Sequence, residues 1–318
     1  VTLDDTAASG EHADVVCVAS WNADLISRVA RPIERGETLM ASAFSISPGG
    51  KGSNAAVAAA RQGARVALIA RIGQDDFGRM GLKLWRDEGI ATEQVEQVAD
   101  EPSGVAQILV YDDGDNSIAV FPGAGAGLGA HHAEAARLLL SHCRVVMAPC
   151  EVPLAVTERA FAIAREAGAK TVLNPAPARP LPDALLALTD VLTPNESELL
   201  LLAGLDAGAS TDAAAQVLIA RGAAAVLVTL GGAGCRLYQA GQAPLSLPGR
   251  RMAVADTIGA GDTFTGALAA ALARGEALPA AMELANAAAA LSVTGHGAIG
   301  GMPSLAQVRA LLAAPESE

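Results

Sequence analysis

The chain has 318 residues, 51% hydrophobic and only 3% aromatic, with 22 basic against 34 acidic side chains and a formal charge of −12. That length and apolar content suit one large α/β core with an elaboration. The acidic balance, without any block of Lys or Arg, argues against a nucleic-acid partner, which clustered positive charge would have to hold.

The start, 1–13, is polar and acidic with no apolar h-region, so it reads as a flexible tail rather than a signal peptide. The run 15–19 is continuously apolar, a strand of the buried type, and it ends in Ser20-Trp21-Asn22-Ala23-Asp24. Open α/β sheets bind ligands at that carboxyl edge. The next stretch, 25–47, is irregular, with a strand-like piece at 43–46. Gly49-Gly50-Lys51-Gly52-Ser53-Asn54 then leads into a helix over 55–62 stopped by Gly63. A strand at 66–70 and a helix at 75–88 follow. The runs 105–111 and 117–121 flank Asp112-Asp113-Gly114-Asp115-Asn116 as a hairpin. With the earlier excursion this hairpin is expected to form a small β lid, from about 24–48 and 103–122, on a single domain covering 14–318.

From 133 onward helix and strand alternate: helix 133–141, strand 145–148, helix 154–167, strand 171–173, strand 191–193, a helix from about Glu196, helix 211–221 and strand 225–230. Such alternation means βαβ units, hence a mostly parallel sheet covered on both faces. A final apolar run, 252–255, has strand character, and a helix is expected over 263–274. The alanine-rich run 285–293 is far too short to cross a bilayer. The cysteines Cys17, Cys143, Cys150 and Cys235 are scattered, which suits reduced, mostly buried thiols in a soluble cytoplasmic protein with no membrane partner.

Between 252–255 and the last of these helices lies Asp256-Thr257-Ile258-Gly259-Ala260-Gly261-Asp262-Thr263-Phe264. A glycine turn opening a helix leaves unpaired N–H groups that favour an anion. Asp262 beside such an anion is placed to take a proton from an attacking hydroxyl; the plainer reading is a helix-capping Asp. The Gly49–Asn54 loop is not a Walker motif, because Gly52 follows Lys51 and Ser45 stands where a glycine is needed. It reads as a polyol-binding loop through Lys51 and Asn54, or as a flexible turn. Asn22 and Asp24 straddle Ala23, so an extended backbone points both to one side, where they can grip hydroxyls or simply end a strand. Glu151 follows a strand, as a ligand group or a cap. Asn195 and Glu198, three apart, suit either a water-mediated Mg²⁺ or an N-cap. Thr229-Leu230-Gly231-Gly232-Ala233-Gly234 suits a nucleotide or a tight turn. The five histidines share no ligand spacing, and none is assigned to a metal.

Asn22-Ala23-Asp24, Gly49-Gly50-Lys51-Gly52-Ser53-Asn54, Asn174-Pro175-Ala176-Pro177-Ala178, Thr193-Pro194-Asn195-Glu196 and Asp256-Thr257-Ile258-Gly259-Ala260-Gly261-Asp262-Thr263 occur in this order across nearly the whole chain. Together they resemble the ribokinase-like carbohydrate kinases. The resemblance implies a three-layer α/β/α sandwich with a small β lid that serves as a homodimer contact. It implies transfer of the ATP γ-phosphoryl group to a sugar hydroxyl, O5 of D-ribose in the closest case. Asp262 would be the base, with the amides of Gly259, Ala260 and Gly261 as anion hole. Asn22, Asp24, Gly50, Lys51, Asn54 and Glu151 would bind the sugar, and Asn195, Thr229, Gly231, Gly234, Gly261 and Asn286 the nucleotide. Glu198 would be linked to Mg²⁺, and Asp256, Ile258, Ser292, Gly295, Gly297 and Gly301 would hold K⁺. Rivals are a family kinase of another sugar or nucleoside, and a catalytically silent binding regulator on the same fold. Three departures stand out: Trp21 where a small aliphatic residue is usual, which would narrow the sugar pocket or alter sugar preference; Gly125-Ala126-Gly127 without the usual Asn; and Gly259 for a common Ala.

Overall fold

The computed structural model describes residues 12–314; most of the expected N-terminal tail, 1–11, lies outside them. Strand β1 (Val15–Val18) consists of apolar residues buried on both faces, as a central parallel strand requires. Its neighbours in chain order are β2 (Asn22–Arg28), β3 (Ala43–Gly49), α1 (Lys51–Arg61), β4 (Val66–Gly73), α2 (Asp76–Asp87), β5 (Ala91–Val98), β6 (Gly104–Val110) and β7 (Asn116–Phe121). Next come α3 (Ala130–Ala135), α4 (Arg137–His142), β8 (Val145–Pro149), α5 (Leu154–Glu166), β9 (Lys170–Asn174), α6 (Asp183–Ala187), β10 (Val191–Leu192), α7 (Glu196–Ala203) and α8 (Thr211–Ala220). The chain finishes with β11 (Ala225–Thr229), β12 (Cys235–Gln239), β13 (Leu245–Leu247), α9 (Ala260–Ala273), α10 (Leu278–Ser292) and α11 (Leu305–Ala313).

Nine strands form one sheet in the order β13-β12-β11-β10-β9-β8-β1-β4-β5. Its pairs are parallel except those that β12 makes with β11 and β13. Alternation along the strands sends Val15 and Cys17 into a core shared with α1, α9 and α10. Val16 and Val18 enter the opposite core with α5, α7 and α8. The result is the three-layer α/β/α sandwich. A second sheet, β3-β2-β6-β7, forms from the excursion and the hairpin.

Several boundaries differ from the sequence reading for identifiable reasons. The excursion opens with a regular strand, because β2 is zipped to β3 and β6 over its whole length. Strand β5 went unseen: its Glu- and Gln-rich alternation marks a charged sheet edge rather than a core strand. The helix expected over 133–141 is two short helices meeting at Ala136. The run 252–255 is not a strand; the Ala255 and Asp256 amides both bond the Val293 carbonyl at the end of α10, and Val254 is exposed. Helix α9 begins at Ala260, three residues earlier than expected, which puts Asp262 inside its first turn. At Gly266 a Cβ would run into the Ala55 carbonyl, so α9 and α1 meet backbone to backbone there.

Candidate active site

Helix α1 starts at the tip of β3, after Gly50 in the left-handed region (φ 89°), and Gly50 offers no side-chain cap. Its first-turn amides are satisfied from elsewhere. The Lys51 amide donates to Glu151 Oε2 (2.8 Å), the Gly52 amide to Ser20 Oγ (3.0 Å), the Ser53 amide to the Ser20 carbonyl (3.1 Å) and the Asn54 amide to the Gly50 carbonyl (2.8 Å). Ser20 Oγ in turn donates to Glu151 Oε2 (2.6 Å). The carboxylate thus sits on a helix N-terminus, where the dipole favours negative charge.

Helix α9 brings Asp262 to the same place. The carboxyl is buried, and Asn54 Nδ2 donates to its Oδ2 at 2.9 Å. Burial pushes its pKa up, against the Lys51 ammonium and the Asn54 bond, which favour the anion. Lys51 is held protonated chiefly by Asp262. Asp24 lies in the same field: burial, then Glu151 and Asp262, push it up to about 7. Glu151 is raised by burial and lowered by the Ser20 and Lys51 bonds. Asn54 Oδ1 is buried without a partner, an acceptor free for a hydroxyl.

A cavity of about 210 Å³ opens over the α9 N-terminus, with Lys51, Asn195, Glu198, Thr229, Gly261 and Asp262 among its walls. Gly259 carries φ 80°, and a Cβ there would lie 2.7 Å from the Ala298 oxygen, so glycine fits where a side chain would press on that loop. The Ala260 amide turns to the Thr257 carbonyl (3.3 Å), whereas the Gly259 and Gly261 amides have no backbone acceptor among the described residues. Gly261 faces open space: a Cβ built there meets nothing within 4 Å. The nest therefore has two open amides at its glycines, not three.

Asn195 and Glu198 form a reciprocal capping box at the start of α7. The Asn195 side chain accepts from the Glu198 amide (2.9 Å) and Glu198 Oε2 from the Asn195 amide (2.9 Å). The plainer reading of this pair is thus realised, with both side chains still on the cavity wall. Gly231 lines a more open cleft of about 450 Å³ with Asn195 and Thr229. Asn286 stands apart, in a cavity of about 420 Å³ shared with Arg250, Arg251 and Glu283, and bonds the Pro248 carbonyl. Gly234 turns the chain against the Pro248–Gly249 backbone. Asp256 accepts from the Ile258 amide (3.0 Å) and the Gly297 amide (2.9 Å), tying that turn to the loop after α10. In that loop Gly295 and Gly301 touch, and a Cβ on Gly301 would strike the Ser292 carbonyl. Among the described residues no cluster of three or more His, Cys, Asp or Glu is shaped for a metal.

Trp21 does not narrow the pocket. It is buried beside α2, donates Nε1 to the Phe77 carbonyl (3.1 Å) and packs edge-on to Trp85, with Gly81 leaving it room. The loop lacking Asn is a tight turn whose Ala124 carbonyl accepts from Arg71. Sequence reading missed Ser20, although it stands at the same strand end as Asn22. It also missed the Arg250, Arg251 and Glu283 walls, which belong to no motif.

An α/β/α sandwich with a buried acid on a glycine-opened helix, facing the Gly50–Asn54 turn, suits a sugar phosphotransferase. Residues 12–305 match the pfkB family carbohydrate kinase model, and the chain belongs to that family. It is 37% identical to the ribokinase of Haemophilus influenzae over 90% of this chain and 94% of that protein. It is 35% identical to the deoxyribokinase of Salmonella typhi over 95% of this chain and 100% of that protein. The structure of Arabidopsis thaliana ribokinase complexed with ribose and ATP matches with a TM-score of 0.88 at 30% identity, covering 95% of this chain and 99% of that one. Among the described residues no helix is long and apolar enough to cross a membrane.

Proposed function

We propose that the protein transfers the γ-phosphoryl group of ATP to O5 of D-ribose. The observation that carries this is the meeting of Asp262, Lys51 and Asn54 at the open N-terminus of α9, with Glu151 bonded to the Lys51 amide beside them. The sugar is held by Asp24, Asn22, the Gly50–Lys51 loop, Asn54 and Glu151, with its O5 hydroxyl toward Asp262. Asn54 occupies Oδ2, so Oδ1 takes the proton as O5 attacks phosphorus and the bond to the β-phosphate oxygen breaks, releasing ADP. The open amides of Gly259 and Gly261 and the Lys51 ammonium steady the charge on the transferring group. ATP lies along Asn195, Thr229 and Gly231, with its base toward Asn286.

Glu198 keeps Oε1 free beside the cavity, and with Asn195 it suits a water shell on Mg²⁺; the ion neutralises phosphate charge when bound. Asp256, bonded to the Ile258 and Gly297 amides, and the close-set backbone of Ser292, Gly295 and Gly301 suit K⁺, an ion satisfied by carboxylate and carbonyl oxygens. The small sheet acts as a lid. Its exposed Phe44, Ile46 and Phe121 on one face and Ile118 and Val120 on the other suit cover by a second copy in a homodimer. Four buried free thiols fit a reducing cytoplasm.

The test is ADP release with Mg²⁺ and K⁺ present, offering D-ribose, 2-deoxy-D-ribose, fructose and adenosine, with the product read by phosphorus NMR. Ribose 5-phosphate as the preferred product supports the reading. Preference for another acceptor rejects ribose, and binding without turnover of any acceptor rejects the kinase.

A further inference from the structure

We infer that Ser20 is a positioning residue for sugar recognition, acting through Glu151; this rests on the reading of Glu151 as a sugar-binding carboxylate. Ser20 is buried, and its hydroxyl is engaged both as a donor and as an acceptor. It donates to Glu151 Oε2 (2.6 Å) and accepts from the Gly52 amide (3.0 Å), while its carbonyl accepts from the Ser53 amide (3.1 Å). Its one proton is committed to Glu151, so Ser20 has no donor left to offer a ligand and acts through that carboxylate.

Its effect is on the carboxylate. The terminal torsion of a glutamate is broad and only two-fold, so packing alone leaves its plane loosely set. Two donors on one oxygen, Ser20 Oγ and the Lys51 amide, fix that plane and leave Oε1 as the free acceptor. The surrounding charges do not favour this orientation by themselves: Lys51 attracts Glu151 and Asp262 repels it. Without the Ser20 hydroxyl, one of the two donors is gone and the Gly52 amide loses its acceptor. The carboxylate is then held by the Lys51 amide alone, and its plane is free to turn from the orientation that presents Oε1. Ser20 also joins the end of β1 to the first turn of α1, so the Gly50–Lys51 loop and Glu151 are set by one hydroxyl.

The experiment is a double-mutant cycle on the full chain with Ser20→Ala, Glu151→Gln and the pair, read by steady-state kinetics and thermal unfolding. The expected result is a KM for ribose raised about tenfold by Ser20→Ala, as loss of a hydrogen bond to a charged group implies. The kcat should change by less than about threefold and the KM for ATP should stay fixed, because the base and the phosphate nest are untouched. In the Glu151→Gln background the same change should raise KM by less than about twofold. Equal KM effects in the two backgrounds, or parallel losses in kcat and ATP affinity, overturn the inference. Ser20→Cys, which fills the space but donates weakly, replaces the alanine variant if that chain does not accumulate, with the same outcomes deciding. If the wild type phosphorylates no sugar, the functional reading fails. Non-additive shifts in Tm then still report whether Ser20 and Glu151 act as a pair, and additive shifts overturn the pairing.

Discussion

Asp24 lends itself to a stability measurement that needs no substrate. It projects from β2 on the face of the small sheet that also carries Asn22, and Gly49, diagonally across on β3, leaves room for its carboxylate. Burial first, and then the Glu151 and Asp262 charges, raise its pKa from 3.8 to about 7, with Lys51 pulling the other way. A carboxyl whose pKa rises on folding stabilises the native state fully below its unfolded pKa and loses that contribution as pH climbs through the folded value. At roughly 1.4 kcal/mol per unit, a shift of about three units sets a ceiling near ~4 kcal/mol. Solvent screening of a partly exposed side chain halves it to about 2 kcal/mol. Asp24→Asn keeps the shape and never ionises, so it should match the wild type at about pH 4 and exceed it at about pH 8 by roughly 4 °C in Tm. Circular dichroism melts of sugar-free protein across that range make the measurement. A Tm difference that stays constant with pH, or one that grows toward acid, refutes the reasoning.

Three further outcomes are expected. Asp262→Asn should lower kcat by about 10³-fold with sugar affinity nearly unchanged, by isothermal titration and initial rates; equal losses in both would make Asp262 a binding group. A Cβ at Gly261 meets nothing within 4 Å and there is no left-handed backbone to strain, so Gly261→Val is expected to hold Tm while kcat/KM for ATP falls by roughly 10²-fold; unchanged kinetics would place the phosphate elsewhere. Trp21→Leu should cost roughly 2–4 kcal/mol in urea unfolding with the KM for ribose unmoved, and a changed KM would return Trp21 to the pocket.

The central sheet was legible because its strands are short apolar runs set between helical stretches, as with Val15–Val18. The site motifs were legible because ligand chemistry concentrates at strand ends, where Asn22 and Thr229 stand. What stayed hidden depended on partners far along the chain. Glu151 caps a helix that begins a hundred residues earlier, and a local pattern cannot show that. Trp21 reads as a pocket residue by its neighbours in sequence, yet Trp85 and the Phe77 carbonyl draw it under α2. The run 252–255 has strand composition but no strand beside it, and the Val293 carbonyl takes the Ala255 amide at its end.

The contact at Gly266 leaves α1 and α9 no freedom to slide, because each backbone is the other's steric limit. Asn54 rides on one and Asp262 on the other, so the buried carboxyl and the amide that bonds it travel as a single block. Whatever opens to admit an acceptor must hinge elsewhere. A new side chain on β2, β3 or their partners is accordingly expected to alter sugar preference while the α1–α9 contact keeps its geometry.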